Sequence, residues 1–426
     1  MKFKNSLMGC FVLAAVASMA IAQTQNGPPL NRYGAVDVNA TVPTDIQVPP
    51  APAGFVPPAV NPLTQTWSGQ IPTAPSFNNV SSYLLMSAQS GDVIAAFNPN
   101  LRVAPASLTK LMLMYIALQA LQNGTIHLTD NVRVPTVAWA TGGSRMFLSP
   151  GSEVSVQNLI SGIIVDSGND AAVTLANYIA GSQENMVNMM NQASVQLGMT
   201  NTDFQDVMGL PAPSHYSSAR DLAVLTRAIV TQFPNAMPWF GVKFFTYDNI
   251  RQANFNKLLF IDPNADGMKT GSTNAAGFSL IGTAKLPNTP GHLIVVMMGA
   301  DTNMHAAEYG RALLNYGFRY FKTLSVYTQN QVIQTVRIYK GKDKTLPIGT
   351  QTPVYVTLPN ESGLTVNASL TLPKTLMAPI ALGQTVGSVT LSANGKVIKT
   401  VPIVALKADP KGNWFRRASD TVALWF

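Results

Sequence analysis

The sequence has almost no cysteine, few histidines and few charged residues. Its single cysteine, Cys10, lies near the N-terminus, and only four histidines occur among 426 residues. Disulfide bonds and cysteine-based catalysis or metal sites are therefore excluded for the rest of the chain. Charged residues make up 11% of the chain, against about 25% in an average protein. We expect a polar but weakly charged surface.

Long apolar runs and dense basic runs are also missing. After the N-terminal segment, no uninterrupted apolar stretch reaches the roughly 18 residues that a membrane-spanning helix needs. The net charge is +8, but no Lys/Arg stripe accompanies it, so no nucleic-acid partner is expected. A mild attraction to anionic polymers or lipid headgroups fits this balance. Hydrophobic residues make up 46% of the chain, enough for a large buried core.

The N-terminal 77 residues are expected to precede the folded domains. Residues 1–22 are typical of a secretory signal, with Lys2 and Lys4 before a short apolar run and a small-residue cleavage site at Ala20–Ala22. We expect an exported protein that loses Cys10 with the signal, and lipidation of Cys10 is the less favoured alternative. Residues 23–77 hold eleven prolines and three charged residues, which favours an extended linker over a docking strand for a partner.

The remaining chain divides into two regions that differ in predicted secondary structure. Residues 78–325 combine strand-like runs at 83–86 and 93–96, a mainly helical stretch from 105 to 232, further strands at 277–285 and 292–299, and a helix over 304–321. Residues 326–406 consist of short β-branched runs broken by Gly, Pro and Asn, which predicts a separate all-β domain.

Ser107 and Lys110 are candidates for a nucleophile and its base. They open an apolar helix predicted to end near Gly124, and their spacing of three places both on one helix face. A buried lysine of lowered pKa can accept the proton of a serine hydroxyl. A capping serine with a solvated lysine is the structural alternative. A Ser-His-Asp triad is disfavoured, because no Gly-x-Ser-x-Gly turn accompanies the histidines, and no metal-binding motif is complete.

Two further motifs carry polar groups at the ends of predicted elements. Ser167-Gly168-Asn169 interrupts a helical pattern, where a hydroxyl and an amide could reach a cleft. Lys269-Thr270-Gly271 begins the strand region. There a lysine beside a hydroxyl could hold a carboxylate, and Gly271 would let a substrate backbone approach closely. An ordinary turn and an exposed strand lysine are the structural alternatives.

Together, in this order, Ser-x-x-Lys, Ser-x-Asn and Lys-Thr-Gly resemble the active-site motifs of the penicillin-recognising serine enzymes. The surrounding segments at 105–110, 162–171, 216–221 and 266–271 resemble the low-molecular-mass penicillin-binding proteins, which are D-alanyl-D-alanine carboxypeptidases. The resemblance covers residues 75–325 densely. It implies an α/β (α+β) penicillin-binding/β-lactamase-like transpeptidase domain, with an antiparallel sheet and a helical subdomain, at 78–325. A small all-β domain and a C-terminal helix follow.

The resemblance also implies a role for each motif residue. Ser107 attacks the carbonyl of the penultimate D-alanine, Lys110 accepts its proton, and Ser167 relays a proton to the leaving D-alanine. The implied substrate-binding residues are Asn169 for the peptide amide, Lys269 and Thr270 for the terminal carboxylate, Gly271, and Ser272, whose N–H forms the oxyanion hole with that of Ser107. No cofactor or metal is implied, and the expected partners are peptidoglycan stem peptides and β-lactams.

Three departures from the family pattern concern turnover and selectivity. Ser272 stands where His is frequent, Met208 stands where a polar residue is common, and the segment 301–310 lacks an Arg that usually helps to bind the carboxylate. A DD-endopeptidase and a non-catalytic peptidoglycan-binding relative therefore stay open as alternatives. A class A β-lactamase is disfavoured, because no suitable Glu follows the second motif.

Residues 407–426 predict an amphipathic helix. On a helical projection the apolar residues share an arc of about 120°, and they are Trp414, Phe415, Ala418, Val422, Trp425 and Phe426. Arg416, Arg417 and Asp420 lie off this arc. Such a helix could lie in a membrane surface or pack on the β domain. With the signal, it favours peripheral attachment to the periplasmic face of the cytoplasmic membrane.

Overall fold

The computed structural model describes residues 56–425, apart from positions 275, 288, 290 and 362. The predicted signal with Cys10, the first part of the predicted linker and Phe426 lie outside the described residues. The helices are α1 (Leu63–Thr66), α2 (Lys110–Gln122), α3 (Thr136–Trp139), α4 (Val156–Val165), α5 (Asn169–Ala180), α6 (Gln183–Leu197), α7 (Ala219–Gln232), α8 (Met237–Phe240), α9 (Leu258–Ile261), α10 (Asn303–Tyr320) and α11 (Trp414–Ala423).

Seventeen strands are described. In the first domain they are β1 (Ser82–Ser87), β2 (Val93–Phe97), β3 (Asn131–Arg133), β4 (Glu153–Ser155), β5 (Phe244–Tyr247), β6 (Ile250–Ala253), β7 (Ala265–Thr273), β8 (Gly277–Lys285) and β9 (His292–Ala300). In the second domain they are β10 (Phe321–Tyr327), β11 (Val332–Tyr339), β12 (Thr345–Gly349), β13 (Val354–Pro359), β14 (Asn367–Thr371), β15 (Leu376–Met377), β16 (Thr385–Ala393) and β17 (Lys396–Ala405).

A five-stranded antiparallel sheet in the order β2-β1-β9-β8-β7 forms the centre of the first domain. Its strands are apolar on both faces, because helices cover both sides. Leu84 and Val296 face the helical subdomain that contains α2 and α7, whereas Leu85 and Val295 face α10. The predicted α+β architecture, with an antiparallel sheet and a helical subdomain, is confirmed.

The second domain begins earlier than the sequence predicted. The helix α10 ends at Tyr320, and β10 follows directly from Phe321 instead of 326, pairing with β13. The other strands form one sheet in the order β14-β16-β17-β12-β11-β15, in which only β15 runs parallel to its neighbour. The prediction of an all-β second domain is therefore confirmed. Its boundary was misplaced because helix and strand adjoin without a turn signal.

Buried polar contacts join the two domains. The turn after β1 contributes Ser90 Oγ, which lies 2.7 Å from Thr357 Oγ1 on β13, and Asp92 Oδ2, which accepts a hydrogen bond from Thr357 N at 2.9 Å. On β17, Lys399 Nζ donates to Ser90 O at 2.7 Å. Ser87 Oγ lies 3.0 Å from Thr323 Oγ1 on β10. Because these groups satisfy one another away from water, separating the domains would leave them unpaired.

The end of the predicted linker belongs to the folded protein. Trp67 is only 1% exposed, and Lys396 Nζ lies 4.7 Å from the centroid of its ring. Phe77 stacks on Tyr309 of α10 at 4.4 Å. The carbonyl of Pro72 accepts a hydrogen bond from the Tyr316 hydroxyl. A spacer up to residue 77 was therefore wrong for residues 63–77, because isolated aromatic residues fix this proline-rich segment to the sheet and to the second domain.

The C-terminal helix α11 attaches to the second domain through its polar face. Asp420 is only 2% exposed; it accepts a hydrogen bond from Lys340 N at 2.6 Å and pairs with Arg416 at 3.4 Å. On the opposite side, Trp414 and Phe415 stack on each other at 4.1 Å and are 67% and 68% exposed. Helix α11 is therefore amphipathic with its apolar side outward. Within the described part of the chain, no helix has the length and apolarity to cross a membrane.

Candidate active site

The candidate nucleophile lies on a tight turn before α2. Residues Ala106–Thr109 form a 3-10 turn that continues into α2 at Lys110. Ala106 adopts a φ of +49°, a backbone conformation that non-glycine residues rarely adopt. This turn brings Ser107 Oγ within 2.8 Å of Lys110 Nζ, which donates a hydrogen bond to it. The predicted Ser107–Lys110 pair is therefore in contact.

Lys110 is completely buried, and none of the described carboxylates forms an ion pair with it. Its second hydrogen bond goes to the backbone carbonyl of Met208 at 2.8 Å. Burial lowers the pKa of Lys110 to about 7, although the negative charges of Asp206 and Asp170 act in the opposite direction. A substantial fraction of Lys110 is then neutral near pH 7, as a general base must be.

A buried cluster fixes the loop that carries the Met208 carbonyl. Asp206 Oδ1 accepts hydrogen bonds from the backbone N–H groups of Met208 and Gly209, both at 2.6 Å. His215 lies behind it, with Nδ1 3.6 Å from Asp206 Oδ2 and Nε2 2.9 Å from Thr109 Oγ1. This cluster connects the loop to the residue that precedes Lys110. The unusual side chain at 208 leaves this arrangement intact, because Lys110 uses the backbone carbonyl.

Ser167 and Lys269 meet on the other side of the nucleophile. Ser167 lies between α4 and α5 with a φ of +53°, and its Oγ accepts a hydrogen bond from Lys269 Nζ at 2.9 Å. Lys269 Nζ also donates to the backbone carbonyl of Thr270 at 2.9 Å. Burial and the nearby charge of Lys110 lower the pKa of Lys269 well below its ordinary value. The carboxylate of a bound ligand would raise it again.

Asn169 holds a neighbouring loop in this structure. Its Nδ2 donates to the Gly142 carbonyl at 2.6 Å, and its backbone N–H donates to the Ser144 carbonyl at 2.7 Å. Asp170 completes this attachment by accepting from Met146 N at 3.0 Å. The side chain that was expected to meet a substrate amide therefore shapes the 142–146 loop, and it does not line the cavity described below.

Gly271 gives room to the nucleophile turn. A Cβ at this position would lie 2.9 Å from Ser107 N and 3.0 Å from both Leu108 N and Pro105 O. Such separations are too short, and backbone atoms cannot rotate away. The sequence pattern correctly indicated a close backbone approach at Gly271, but the approaching backbone is that of Pro105–Leu108.

A cavity of about 310 Å³ opens beside the nucleophile. Its lining residues come from the three motifs, the 142–146 loop, the segment after β6, β8 and α10, and they are Ser107, Ser144, Ser167, Phe255, Thr270, Gly271, Ser272, Phe278 and Asn303. Ser107, Ser167, Thr270 and Ser272 are thus brought to one cavity, with Lys110 and Lys269 buried beneath it. None of the described lining residues is an Arg, and the segment 301–310 contains none.

Asp166 is a buried carboxyl group that sequence reasoning did not single out. It is 1% exposed, precedes Ser167, and its Oδ1 has no hydrogen-bond partner among the described residues. Burial, reinforced by the charge of Asp170, raises its pKa to about 7, although the charge of Lys269 acts in the opposite direction. In the described part of the chain, no three His, Cys, Asp or Glu side chains are grouped so that they could hold a metal ion.

Comparison with known proteins places this arrangement in a family. The sequence from 70 to 302 matches the family of D-alanyl-D-alanine carboxypeptidases. The chain belongs to this family. Residues 321–411 match the C-terminal domain of penicillin-binding protein 5. The two matches together cover both domains, and the chain is a serine hydrolase of the penicillin-binding protein type.

Three relatives illustrate the similarity. The D-alanyl-D-alanine carboxypeptidase DacC of Escherichia coli is 40% identical over 361 residues, which cover 83% of this chain and 90% of the relative. A crystal structure of penicillin-binding protein 5 from Haemophilus influenzae is 36% identical, with a TM-score of 0.75, and covers 80% of this chain and 100% of that one. Penicillin-binding protein D2 of Listeria monocytogenes, in the ampicillin-bound form, is 25% identical with a TM-score of 0.53, over 58% of this chain and 100% of that one.

Several residues of the site carry no sequence signal. The Met208 carbonyl could not be found from the sequence, because every residue has a carbonyl. His215 follows the second motif by almost fifty positions, and only the fold brings it to Thr109. Phe255 and Asn303 could be recognised as cavity residues only after β6 and α10 had been placed.

Proposed function

We propose that the chain removes the terminal D-alanine from peptidoglycan stem pentapeptides through an acyl-enzyme on Ser107. The contact between Ser107 Oγ and the buried Lys110 Nζ carries this proposal. Neutral Lys110 accepts the hydroxyl proton while Oγ forms a bond to the carbonyl carbon of the penultimate D-alanine. The bond to the terminal D-alanine nitrogen then breaks. Lys110, neutral again once its proton has been relayed to the leaving amine, accepts a proton from the water that attacks the ester. It passes this proton to Ser107 Oγ as the ester bond breaks, and the shortened peptide leaves.

Ser167 is proposed to relay the proton from protonated Lys110 to the leaving amine: its hydroxyl hydrogen passes to the nitrogen while its Oγ takes the proton from Lys110, which becomes neutral again. Lys269 Nζ donates to Ser167 Oγ, so the hydroxyl hydrogen of Ser167 is directed away from Lys269. The terminal carboxylate would be held by Lys269 and by Thr270, which lines the cavity. The backbone N–H groups of Ser107 and Ser272 would stabilise the oxyanion, and Asn169 would contact the substrate only if the 142–144 loop released its amide.

β-Lactams are proposed to acylate the same serine. Their strained amide presents a carbonyl and a carboxylate like those of the D-Ala-D-Ala terminus. The ampicillin-bound relative supports this proposal.

The deciding experiment measures D-alanine release from diacetyl-Lys-D-Ala-D-Ala, with labelling by a fluorescent penicillin and a Ser107→Ala control. Release and label that both vanish in the control would establish the carboxypeptidase. Label without release, together with cleavage of cross-linked dimers, would indicate a DD-endopeptidase. Neither label nor release would contradict the proposal and favour a peptidoglycan-binding relative without catalysis.

The proposal for location is an exported protein attached peripherally, through α11, to the periplasmic face of the cytoplasmic membrane. The outward Trp414 and Phe415 support it, because aromatic side chains favour the headgroup region. Co-sedimentation with vesicles of phosphatidylglycerol and phosphatidylcholine tests it. Trp414→Ser/Phe415→Ser should reduce binding, whereas Leu382→Ser/Val397→Ser, which changes two exposed apolar residues elsewhere, should not. Equal binding by all three proteins would contradict the attachment.

A further inference from the structure

An exposed patch of aromatic and basic side chains lies on the β5–β6 hairpin and on α9. We call it the aromatic–basic patch, and it consists of Lys243, Phe244, Arg251, Lys257 and Phe260. The two phenylalanine rings meet edge to face at 5.7 Å and are 45% and 41% exposed. Arg251 lies 4.0 Å from the centroid of the Phe244 ring. Lys243 and Lys257 each lie 5.8 Å from that of Phe260.

Buried amides make this surface rigid. Asn254 Nδ2 donates to the Val242 carbonyl at 2.8 Å, and its Oδ1 accepts from Asn256 N at 2.9 Å. Asn256 Oδ1 accepts from Leu258 N, at the start of α9, at 3.0 Å. Since both asparagines are buried, they fix the hairpin and α9 relative to each other. The patch is therefore preorganised, which reduces the entropy lost when a ligand binds.

The patch adjoins the active-site cavity. Phe255 follows β6 and lines the cavity, and its carbonyl accepts a hydrogen bond from Asn303, another lining residue, at 3.0 Å. Gln252 of β6 donates to the Arg145 carbonyl at 2.9 Å, next to Ser144 of the cavity wall. A ligand that extends from Ser107 past Phe255 would therefore reach the patch.

The charges of the patch are not neutralised within the described part of the chain. Lys243, Arg251 and Lys257 form no ion pair with a described acidic residue. Arg311 adds a fourth positive charge, since it donates to Ile261 O at the end of α9. The nearest acid in the hairpin is Asp248, in its turn. A stacked cation stays solvated at its edge and can still bind an anion.

We propose that the aromatic–basic patch binds free carboxylates of polymeric peptidoglycan while one stem peptide occupies the cavity. This inference rests on the proposed function and adds a second binding surface to it. Peptidoglycan stems carry carboxylates along their length and on neighbouring stems of the same strand. Three unpaired cations match such a ligand, and the exposed rings offer a surface for its apolar atoms. A short peptide substrate, which ends inside the cavity, would not reach the patch.

The test compares a polymer with a short peptide. The variant Lys243→Gln/Arg251→Gln/Lys257→Gln is assayed on soluble uncross-linked peptidoglycan and on diacetyl-Lys-D-Ala-D-Ala. The control Lys342→Gln/Lys344→Gln/Lys374→Gln removes the same charge from exposed positions of the second domain. The patch variant should raise KM for the polymer at least about fivefold at low salt. Its kcat and its KM for the short peptide should stay within about twofold, and high salt should abolish the difference.

Binding without catalysis separates this inference from the proposed function. Co-sedimentation of Ser107→Ala protein with insoluble peptidoglycan should weaken when the three patch substitutions are added, and should not weaken with the control substitutions. That result supports the patch even if no D-alanine release is found. Equal binding with and without the patch substitutions would overturn the inference and leave the patch to a protein partner. An equal loss with the control substitutions, or an equal rise in KM for the short peptide, would also overturn it.

Discussion

The lowered pKa of Lys110 predicts how acylation depends on pH. With a pKa of about 7, about half of Lys110 is neutral at pH 7, about a tenth at pH 6 and about nine tenths at pH 8. Because only the neutral amine can accept the Ser107 proton, acylation by a fluorescent penicillin should rise almost tenfold per pH unit below about pH 6 and about fivefold between pH 6 and 7, and it should level off above about pH 8. A lysine of ordinary pKa would be neutral in only about one molecule in 3,000 at pH 7.

Lys110→Arg tests the same reasoning by mutation. The guanidinium is similar in length but stays charged at every accessible pH, so the acylation rate should fall by about 1,000-fold or more. Lys344→Arg, at an exposed position, is the matched control and should acylate normally. Asp166 has a pKa in the same range, so the profile is repeated with Asp166→Asn, which should keep an inflection. A flat profile between pH 5 and 9, or an active Lys110→Arg enzyme, would refute the assignment of Lys110 as the base.

Three further predictions follow from the contacts around the site and from α11. Gly271→Ala should lower the acylation rate at least about 100-fold, because its Cβ would collide with the backbone at Ser107. In the control Gly291→Ala, the new Cβ meets only a side chain at 3.9 Å, so the acylation rate should not change. Normal acylation by both variants would contradict the predicted collision. Asp206→Asn removes a negative charge that raises the pKa of Lys110, so the inflection should move to lower pH; a move to higher pH would be inconsistent with this sign. Asp420→Ala should destabilise the docking of α11 on the second domain by about 1–3 kcal/mol. Proteolysis near residue 413 should then become faster. An unchanged rate of proteolysis would show that the contact of Asp420 with Lys340 does not hold the helix.

The sequence was sufficient to predict the fold class and the meeting of the three motifs. Ser107 contacts Lys110 as their helical spacing predicted. The contact of Ser167 with Lys269, which lies in the middle of β7, became visible only in the structure. The orientation of the Asn169 side chain was not predictable, since an amide can hydrogen-bond to a loop or to a ligand equally well.

The docking of the segment up to residue 77 was also beyond the sequence. Proline content indicates local extension, but it says nothing about where Trp67 finds its contacts. Lys396, more than three hundred residues later, supplies one of them. The long-range packing of single aromatic residues therefore cannot be predicted from amino-acid composition.

The buried hydroxyl and lysine contacts between the two domains have a mechanical consequence. Lys399 joins the turn after β1 to β17, in the sheet that carries α11, and Thr357 joins the same turn to β13. We therefore expect the cleft and the C-terminal helix to move together as one rigid unit. If α11 rests on a membrane, the height of Ser107 above the lipid is set by the protein and not by a tether. An enzyme whose active site lies at a fixed distance from the membrane would trim stem peptides within one layer of the wall and leave more distant layers untouched.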